Sequence, residues 1–155
     1  MQVYLIRHAE AVDETVSRRD PVRNLSLHGR DQARALGDRL RWHDCTPTHV
    51  WTSPLVRTVQ TAELIEASVA CGVAVEAMPQ LAPEGSPREV VAALRALPAD
   101  ARVFVVGHEP SLSSIGELLT GGELEALGKA HAVRIDDAEV RWRVAWDADA
   151  PTPNR

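Results

Sequence analysis

A chain of 155 residues, 45% of them hydrophobic and 25% charged, has the size and composition of one soluble globular domain. Its formal net charge of −5 argues against broad binding to nucleic acid or to membrane surfaces, so any cationic site has to be local. Cys45 and Cys71 form no Cys-x-x-Cys pair and no zinc-ligand spacing, and no apolar run approaches the length of a membrane span. We therefore expect two reduced thiols and a cytoplasmic protein.

Apolar runs alternate with helical patterns along most of the chain. The first strand is predicted at about Gln2–Ile6 and is followed by a long polar loop through Arg23. A helix over about Leu27–Trp42, a strand over about His49–Thr52 and a helix over about Leu55–Ala67 come next. Downstream, the pattern predicts a strand at about Val73–Ala77, a helix that carries Val90, Val91, Leu94 and Leu97 and stops at Pro98, a strand at Arg102–Val106, and a helix from about Pro110 to Leu119.

The end of the chain has a different pattern. Apolar and polar residues alternate on both sides of Asp136-Asp137, which is typical of a hairpin with one apolar face. The segment from Asp147 is rich in proline, and we predict a single domain over residues 1–147 with a flexible tail over 148–155. The fold class that follows is α/β: a three-layer sandwich with a mainly parallel central sheet flanked by helices, and a C-terminal antiparallel hairpin at its edge.

Two of the predicted buried strands end in a histidine. The first leads into Arg7-His8, and Val103–Val106 leads through Gly107 into His108. A third strand ends at Ser53-Pro54, with Arg57 in the first turn of the helix that follows. Ligands of parallel α/β sheets bind beyond the carboxyl ends of the strands. The sequence therefore predicts a pocket for a tetrahedral anion, most naturally a phosphoryl group.

The common alternatives for phosphoryl or hydrolytic chemistry have no counterpart in the sequence. It contains no Walker loop, no His-Glu-x-x-His or clustered metal-ligand set, no cysteine-phosphatase loop and no Gly-x-Ser-x-Gly elbow. We predict no metal and no other cofactor. A neutral imidazole is a competent phosphoryl acceptor, and arginines near it lower its pKa and bind phosphoryl oxygens. His108 can donate a further hydrogen bond.

Four segments in order resemble the histidine phosphatase superfamily, which has the phosphoglycerate mutase-like fold. They are LIRHAEA over Leu5–Ala11, LSLHGRDQA over Leu25–Ala33, SPLVRTVQTA over Ser53–Ala62, and VVGHEP over Val105–Pro110. The resemblance implies that His8 is the phosphorylated nucleophile and that Arg7, Arg57 and His108 complete the phosphate pocket. The short chain resembles the SixA-type phosphohistidine phosphatase branch, because mutases and sugar phosphatases of the family carry longer insertions.

Three further residues are candidate substrate-binding or acid groups. Arg23 resembles an extra phosphate-contacting arginine of the SixA-type branch, although it is equally consistent with a solvated loop residue paired to Asp20. Ester-cleaving members of the family place an acid in a Leu-x-Glu context, and here the nearest carboxylate, Glu84, comes one position later. Glu84 is otherwise an ordinary surface carboxylate. Glu10 is a second candidate acid, and it can instead orient a pocket arginine or be exposed.

The one-position displacement of Glu84 affects which substrate we expect. An alkoxide that leaves a phosphomonoester needs a proton from a general acid, whereas the imidazole of phosphohistidine can leave already protonated. Our hypothesis is a metal-independent phosphatase that acts through a phosphohistidine intermediate on His8, with phosphohistidine on a signalling protein domain as substrate. One alternative is a small-molecule phosphomonoesterase that uses Glu84 or Glu10. The other is a non-catalytic module that binds phosphorylated partners, which would not need His8.

Overall fold

The computed structural model describes residues 1–16 and 19–154. Ser17 and Arg18 of the predicted polar loop, and Arg155 at the end of the predicted tail, lie outside the described residues. The strands are β1 (Gln2–Arg7), β2 (His49–Thr52), β3 (Val75–Ala77), β4 (Arg102–Gly107), β5 (His131–Asp136), β6 (Glu139–Ala145) and β7 (Thr152–Pro153). The α-helices are α1 (Leu27–Trp42), α2 (Val56–Val69), α3 (Pro87–Arg95) and α4 (Ser111–Thr120).

All of these strands belong to one sheet in the order β3-β2-β4-β1-β5-β6-β7. The four strands β3, β2, β4 and β1 run parallel, and β5, β6 and β7 continue the sheet antiparallel. Val106 of β4 is in register with Ile6 of β1 and with Thr52 of β2. The carboxyl ends of these three strands are therefore level, and the residues that follow them meet at one edge of the sheet.

The central strands read as continuous apolar runs because helices cover both of their faces. One face of β1 and β4 packs on α3 and α4 through Leu5, Val105, Leu94 and Ile115. The other face packs on α1 and α2, with Ile6, Phe104, Leu36 and Ile65 in that cluster. The predicted fold class, with a parallel centre and an antiparallel edge, is confirmed.

Several boundaries differ from the sequence prediction by one or two residues. β3 begins at Val75 rather than Val73, and α3 ends at Arg95, before Leu97. The Pro-rich segment also contributes to the sheet, because Thr152–Pro153 pair with Arg143 and Trp142 of β6. The flexibility of this tail and the domain limit at 147 stay predictions. No helix within the described residues is both long and apolar enough to span a bilayer.

Candidate active site

A polar cavity of about 290 Å³ opens at the carboxyl edge of β1, β2 and β4. Among the predicted site residues, it brings together both histidines and three arginines: Arg7, His8, Arg23, Arg57 and His108. The other lining residues are Ala11, Asp20, Pro83, Glu109 and Lys129. The cavity has more basic than acidic side chains, as a binding site for an anion requires.

His8 follows β1 directly and is held by its backbone and its ring. Its backbone N–H donates to the carbonyl of Gly107 at 3.1 Å, which continues the pairing with β4. Ring Nδ1 lies 2.7 Å from the carbonyl oxygen of Ala9, and since that oxygen can only accept, Nδ1 carries the proton. The lone pair of the neutral ring is therefore on Nε2.

The environment of His8 favours this neutral form. Burial lowers its pKa to about 4, and the charges of Arg57, Arg7 and Lys129 act in the same direction, while the hydrogen bond to Ala9 opposes them. The side chain is 8% exposed. At neutral pH the ring is unprotonated at Nε2, as a nucleophile must be.

His108 follows β4, and its ring centroid lies 5.3 Å from that of His8. Its Nε2 is 2.8 Å from the hydroxyl oxygen of Ser53, and its Nδ1 is 3.5 Å from a terminal nitrogen of Arg57. Because the guanidinium can only donate, the neutral ring accepts at Nδ1 and donates from Nε2 to Ser53. Burial lowers the pKa of His108 to about 3, with contributions from His8 and Arg57.

Arg57 and Arg7 are fixed by backbone carbonyls. Arg57, in the first turn of α2 and 5% exposed, donates to the carbonyl of Asp20 at 2.9 Å. Arg7 donates to the carbonyl of Leu127 at 2.9 Å. The Nε–H of each arginine is buried and meets no acceptor among the described residues. Two buried cationic donors without an acceptor are a strong electrostatic reason for an anion to bind here.

The carboxylate of Asp20 joins Arg57 to Arg23. It lies 3.3 Å from Arg57 and 2.7 Å from Arg23, and Arg23 also donates to the carbonyl of Val12 at 3.2 Å. Burial acts to raise the pKa of Asp20, but the hydrogen bond from Arg23 and the charge of Arg57 outweigh it and hold this pKa below its usual value. Asp20 is therefore ionised, and Arg23 both lines the cavity and pairs with Asp20. Its predicted contact with phosphate stays a prediction.

Glu109 uses both of its carboxylate oxygens within the protein. Oε1 accepts from the backbone N–H of Leu127 at 2.9 Å. Oε2 accepts from the backbone N–H and the hydroxyl of Ser113, at 3.2 and 2.7 Å. Glu109 thus ties the end of β4 to the segment that also holds Arg7.

The structure places Glu10 and Glu84 outside the residues that line the cavity. Glu10 accepts a hydrogen bond from the hydroxyl of Ser26 at 2.8 Å, and Ser26 is the N-cap of α1. Glu84 is exposed, and it is the preceding residue, Pro83, that reaches the cavity. Their predicted roles as acids stay predictions.

Sequence reasoning did not place Asp20, Glu109 or Lys129 at the cavity. The position of Glu109, directly after His108 at the end of the same strand, could have predicted that it lies near the cavity. Asp20, three residues before Arg23, offered a weaker signal. For Lys129 the only hint was that it is the sole lysine of the chain.

The model of the histidine phosphatase superfamily (branch 1) matches residues 3–82. The chain belongs to the histidine phosphatase superfamily. Phosphohistidine phosphatase SixA of Escherichia coli strain K12 is 30% identical over 135 residues, which cover 86% of this chain and 83% of that protein. This superfamily member is of the SixA type and is a phosphatase with a histidine nucleophile.

Solved structures agree on the fold. The protein histidine phosphatase SixA complexed with tungstate superposes with a TM-score of 0.86 at 26% identity, covering 94% of this chain and 97% of the other. A mycobacterial glucosyl-3-phosphoglycerate phosphatase superposes with a TM-score of 0.67 at 19% identity, covering 96% and 99%. This second likeness shows the fold alone, shared with a protein whose name gives a different substrate.

Within residues 1–16 and 19–154, no group of three or more His, Cys, Asp or Glu side chains is arranged to hold a metal ion. The expectation that the phosphatase needs no metal stays a prediction. The site thus offers a neutral imidazole nitrogen, a second imidazole and buried guanidinium donors around one cavity. This set is suited to accept a phosphoryl group and to stabilise its charge.

Proposed function

We propose that this phosphatase hydrolyses phosphohistidine on a protein through transfer of the phosphoryl group to Nε2 of His8, without a metal. The orientation of the nucleophile supports the choice of His8. Its Nδ1–H bond to Ala9 directs the lone pair to Nε2, and its low pKa keeps that lone pair available at neutral pH.

The surrounding groups supply the charge that a phosphoryl group in transfer requires. The Nε–H donors of Arg7 and Arg57 have no other acceptor among the described residues and can bind phosphoryl oxygens. A phosphoryl dianion beside His108 raises the pKa of that ring, because opposite charge stabilises the imidazolium. Once protonated at Nδ1, His108 donates to the phosphoryl group and keeps its Nε2–H bond to Ser53.

The reaction proceeds in two displacements. Nε2 of His8 forms a bond to phosphorus as the P–N bond of the substrate breaks, and the substrate imidazole departs with the electron pair. When the other ring nitrogen of the substrate already carries a proton, the leaving imidazole is neutral and needs no acid. Water then attacks phosphorus, the bond to Nε2 breaks, and inorganic phosphate leaves with neutral His8 restored.

The observation that carries the choice of substrate is the state of the carboxylates at the cavity. Asp20 is ionised between Arg57 and Arg23, and both oxygens of Glu109 accept hydrogen bonds from Leu127 and Ser113. Neither is ready to protonate an alkoxide. A leaving group that needs no acid therefore fits this site better than a sugar or serine alkoxide does.

The test uses a protein phosphorylated chemically on histidine, incubated without metal in the presence of a chelator. We expect rapid phosphate release and an acid-labile, alkali-stable label on the phosphatase. Both should be lost in His8→Ala, with a fall in rate of at least about 10³-fold. The matched control is His43→Ala, which removes an exposed imidazole outside the cavity and should retain full activity.

Phosphoserine and sugar phosphates serve as comparison substrates. Faster turnover of these esters than of the phosphoprotein would contradict the substrate proposal and leave the nucleophile in place. A His8→Ala variant that still forms the acid-labile label would contradict His8 as the nucleophile. Tight phosphoprotein binding by the wild type without turnover or label would instead indicate a binding module.

A further inference from the structure

Lys129 lies at the cavity on the segment that leads into β5. It is the only lysine in a chain with 17 lysine and arginine residues. Its side chain is exposed, whereas Arg57, His8 and His108 are buried. Lys129 therefore stands at the mouth of the cavity and not at its floor.

The backbone around Lys129 is bonded to the site itself. The N–H of Ala130 donates to the carbonyls of Arg7 and His8, each at 3.2 Å. The carbonyl of Leu127 accepts from Arg7 and its N–H donates to Glu109, each at 2.9 Å. These contacts fix the segment Leu127–Ala130 against the reacting groups.

The conformation of this segment is tight on both sides of Lys129. Ala130 has a φ of +53°, a left-handed conformation that is costly for a residue with a side chain. A Cβ at Gly128 would come within 2.8 Å of the His131 ring, so a larger residue there would have to displace that ring. The position of Lys129 is thus well defined although its side chain extends into solvent.

The charge of Lys129 is not balanced within the site. Asp20 is paired with Arg57 and Arg23, and Glu109 accepts from neutral donors of Leu127 and Ser113. Lys129 forms no hydrogen bond or ion pair with any other described residue. An ammonium group of this kind, next to buried phosphoryl-binding groups, is available to an anion that belongs to the substrate.

We propose that Lys129 determines specificity by binding an acidic side chain that lies beside the phosphorylated histidine on the surface of the substrate protein. The inference rests on the proposed function and specifies which second feature of the phosphoprotein is recognised. Arg7, Arg57 and His108 serve the phosphoryl group from within the cavity. Lys129, at the rim, contacts the substrate surface around the phosphorylated histidine. A charge in that position acts mainly on the rate at which the two proteins associate.

The test compares Lys129→Gln with wild type on two substrates, a histidine-phosphorylated protein with acidic residues around the histidine and phosphoramidate, which has no carboxylate. At low ionic strength, about 20 mM, we expect kcat/KM for the phosphoprotein to fall about 3- to 10-fold with kcat unchanged. The difference should disappear near about 0.5 M salt. For phosphoramidate, kcat should be unchanged and kcat/KM should fall by a clearly smaller factor than for the phosphoprotein, and Lys129→Arg should restore most of the loss.

The assay pH and a second variant separate this effect from others. At about pH 7.5 the His8 ring is neutral in both proteins, so a change in its pKa does not enter. Arg88→Gln removes the same charge from α3, where Arg88 is exposed and lines a different cavity, and should behave as wild type.

Equal losses on the phosphoprotein and phosphoramidate would place Lys129 on the phosphoryl group and overturn the inference. An unchanged kcat/KM on the phosphoprotein would overturn it as well, while leaving the proposed function standing. If wild type turned over phosphoramidate and esters but not the phosphoprotein, the proposed function itself would fall, and the role of Lys129 with it.

Discussion

The two imidazoles at the cavity differ in whether a ring nitrogen is free. His8 donates from Nδ1 to Ala9 and keeps its lone pair on Nε2, whereas His108 faces Ser53 with Nε2 and Arg57 with Nδ1. One hydrogen-bond partner thus orients the ring of His8, and two orient the ring of His108. Burial then keeps both rings neutral, with pKa values of about 4 and about 3.

The low pKa of His8 predicts an unusual pH profile. Protonation at Nε2 removes the nucleophilic lone pair, so kcat/KM is lost as the pH falls through the pKa of the free enzyme. Once the titration of the substrate's own ring and phosphoryl group is divided out, we expect kcat/KM to be constant from neutral pH to about pH 5 and to fall below a pKa of about 4. Initial rates on the phosphoprotein check this, with spontaneous acid hydrolysis subtracted by means of His8→Ala. An acid limb near the ordinary imidazole pKa of about 6.5 would contradict the role of burial.

At the scale of elements, the start of α1 is bound to the chain just after β1. The N-cap Ser26 donates from its backbone N–H to the carbonyl of Glu10 at 3.0 Å, and Gln32 accepts from the N–H of Glu10 at 2.9 Å. Gly29 allows this approach, because a Cβ at its position would overlap the carbonyl oxygen of Glu10. The helix therefore supports the backbone two residues beyond His8.

Gly29→Ala is expected to separate α1 from this segment. The forced displacement should lower the free energy of unfolding by about 2 kcal/mol or more and should lower kcat/KM as well, because the backbone next to His8 moves. Urea denaturation and phosphoprotein turnover measure the two effects. Gly122→Ala is the control, since a Cβ there meets nothing within 4 Å, and a change within about 0.5 kcal/mol is expected. If both variants unfolded at the same urea concentration, the close approach of Gly29 to the carbonyl of Glu10 would not matter for stability.

Strands that are covered by helices on both faces could be predicted from the sequence. Val103–Val106 reads as an apolar run because helices pack on both sides, and the level ends of the strands bring His8 and His108 together as expected. Lys129 was not predictable in this way. Its position depends on two hydrogen bonds: the Arg7 guanidinium donates to the carbonyl of Leu127, and the N–H of Ala130 donates to the carbonyl of Arg7. Such contacts leave no periodic pattern in the sequence. The same holds for Asp20, which reaches Arg57 across 37 positions of the chain.

At the scale of the whole molecule, the site and the added edge strands are separated. Strands β1, β2 and β4 carry the reacting groups at the centre of the sheet, and β6 and β7 lie at one edge. The final segment is attached there by three kinds of contact: pairing of Thr152–Pro153 with β6, a bond from Asn154 to Arg141, and a bond from Arg39 of α1 to the carbonyl of Ala148. None of its residues as far as Asn154, where the described chain ends, lines the cavity.

Removal of residues 148–155 should therefore lower stability without affecting catalysis. The segment's hydrogen bonds stabilise the fold, and the entropic cost of ordering the segment offsets part of that gain. We expect the net loss in the free energy of unfolding to be about 1 kcal/mol. We expect a lower urea midpoint and unchanged kcat and KM on the phosphoprotein. An unchanged midpoint would show that the segment is frayed in solution, as its proline content suggests, and a change in kcat would show that the edge and the site are coupled.

The sole lysine also makes this phosphatase chemically addressable. Its side chain at the cavity mouth and the amino terminus are the two primary amines of the chain, and the latter is bonded to Asp137 at the opposite end of β1. A six-residue strand separates the two by about 20 Å. An amine-reactive fluorophore can thus report on the mouth without an engineered thiol, and protection of Lys129 from labelling becomes a direct signal of substrate docking.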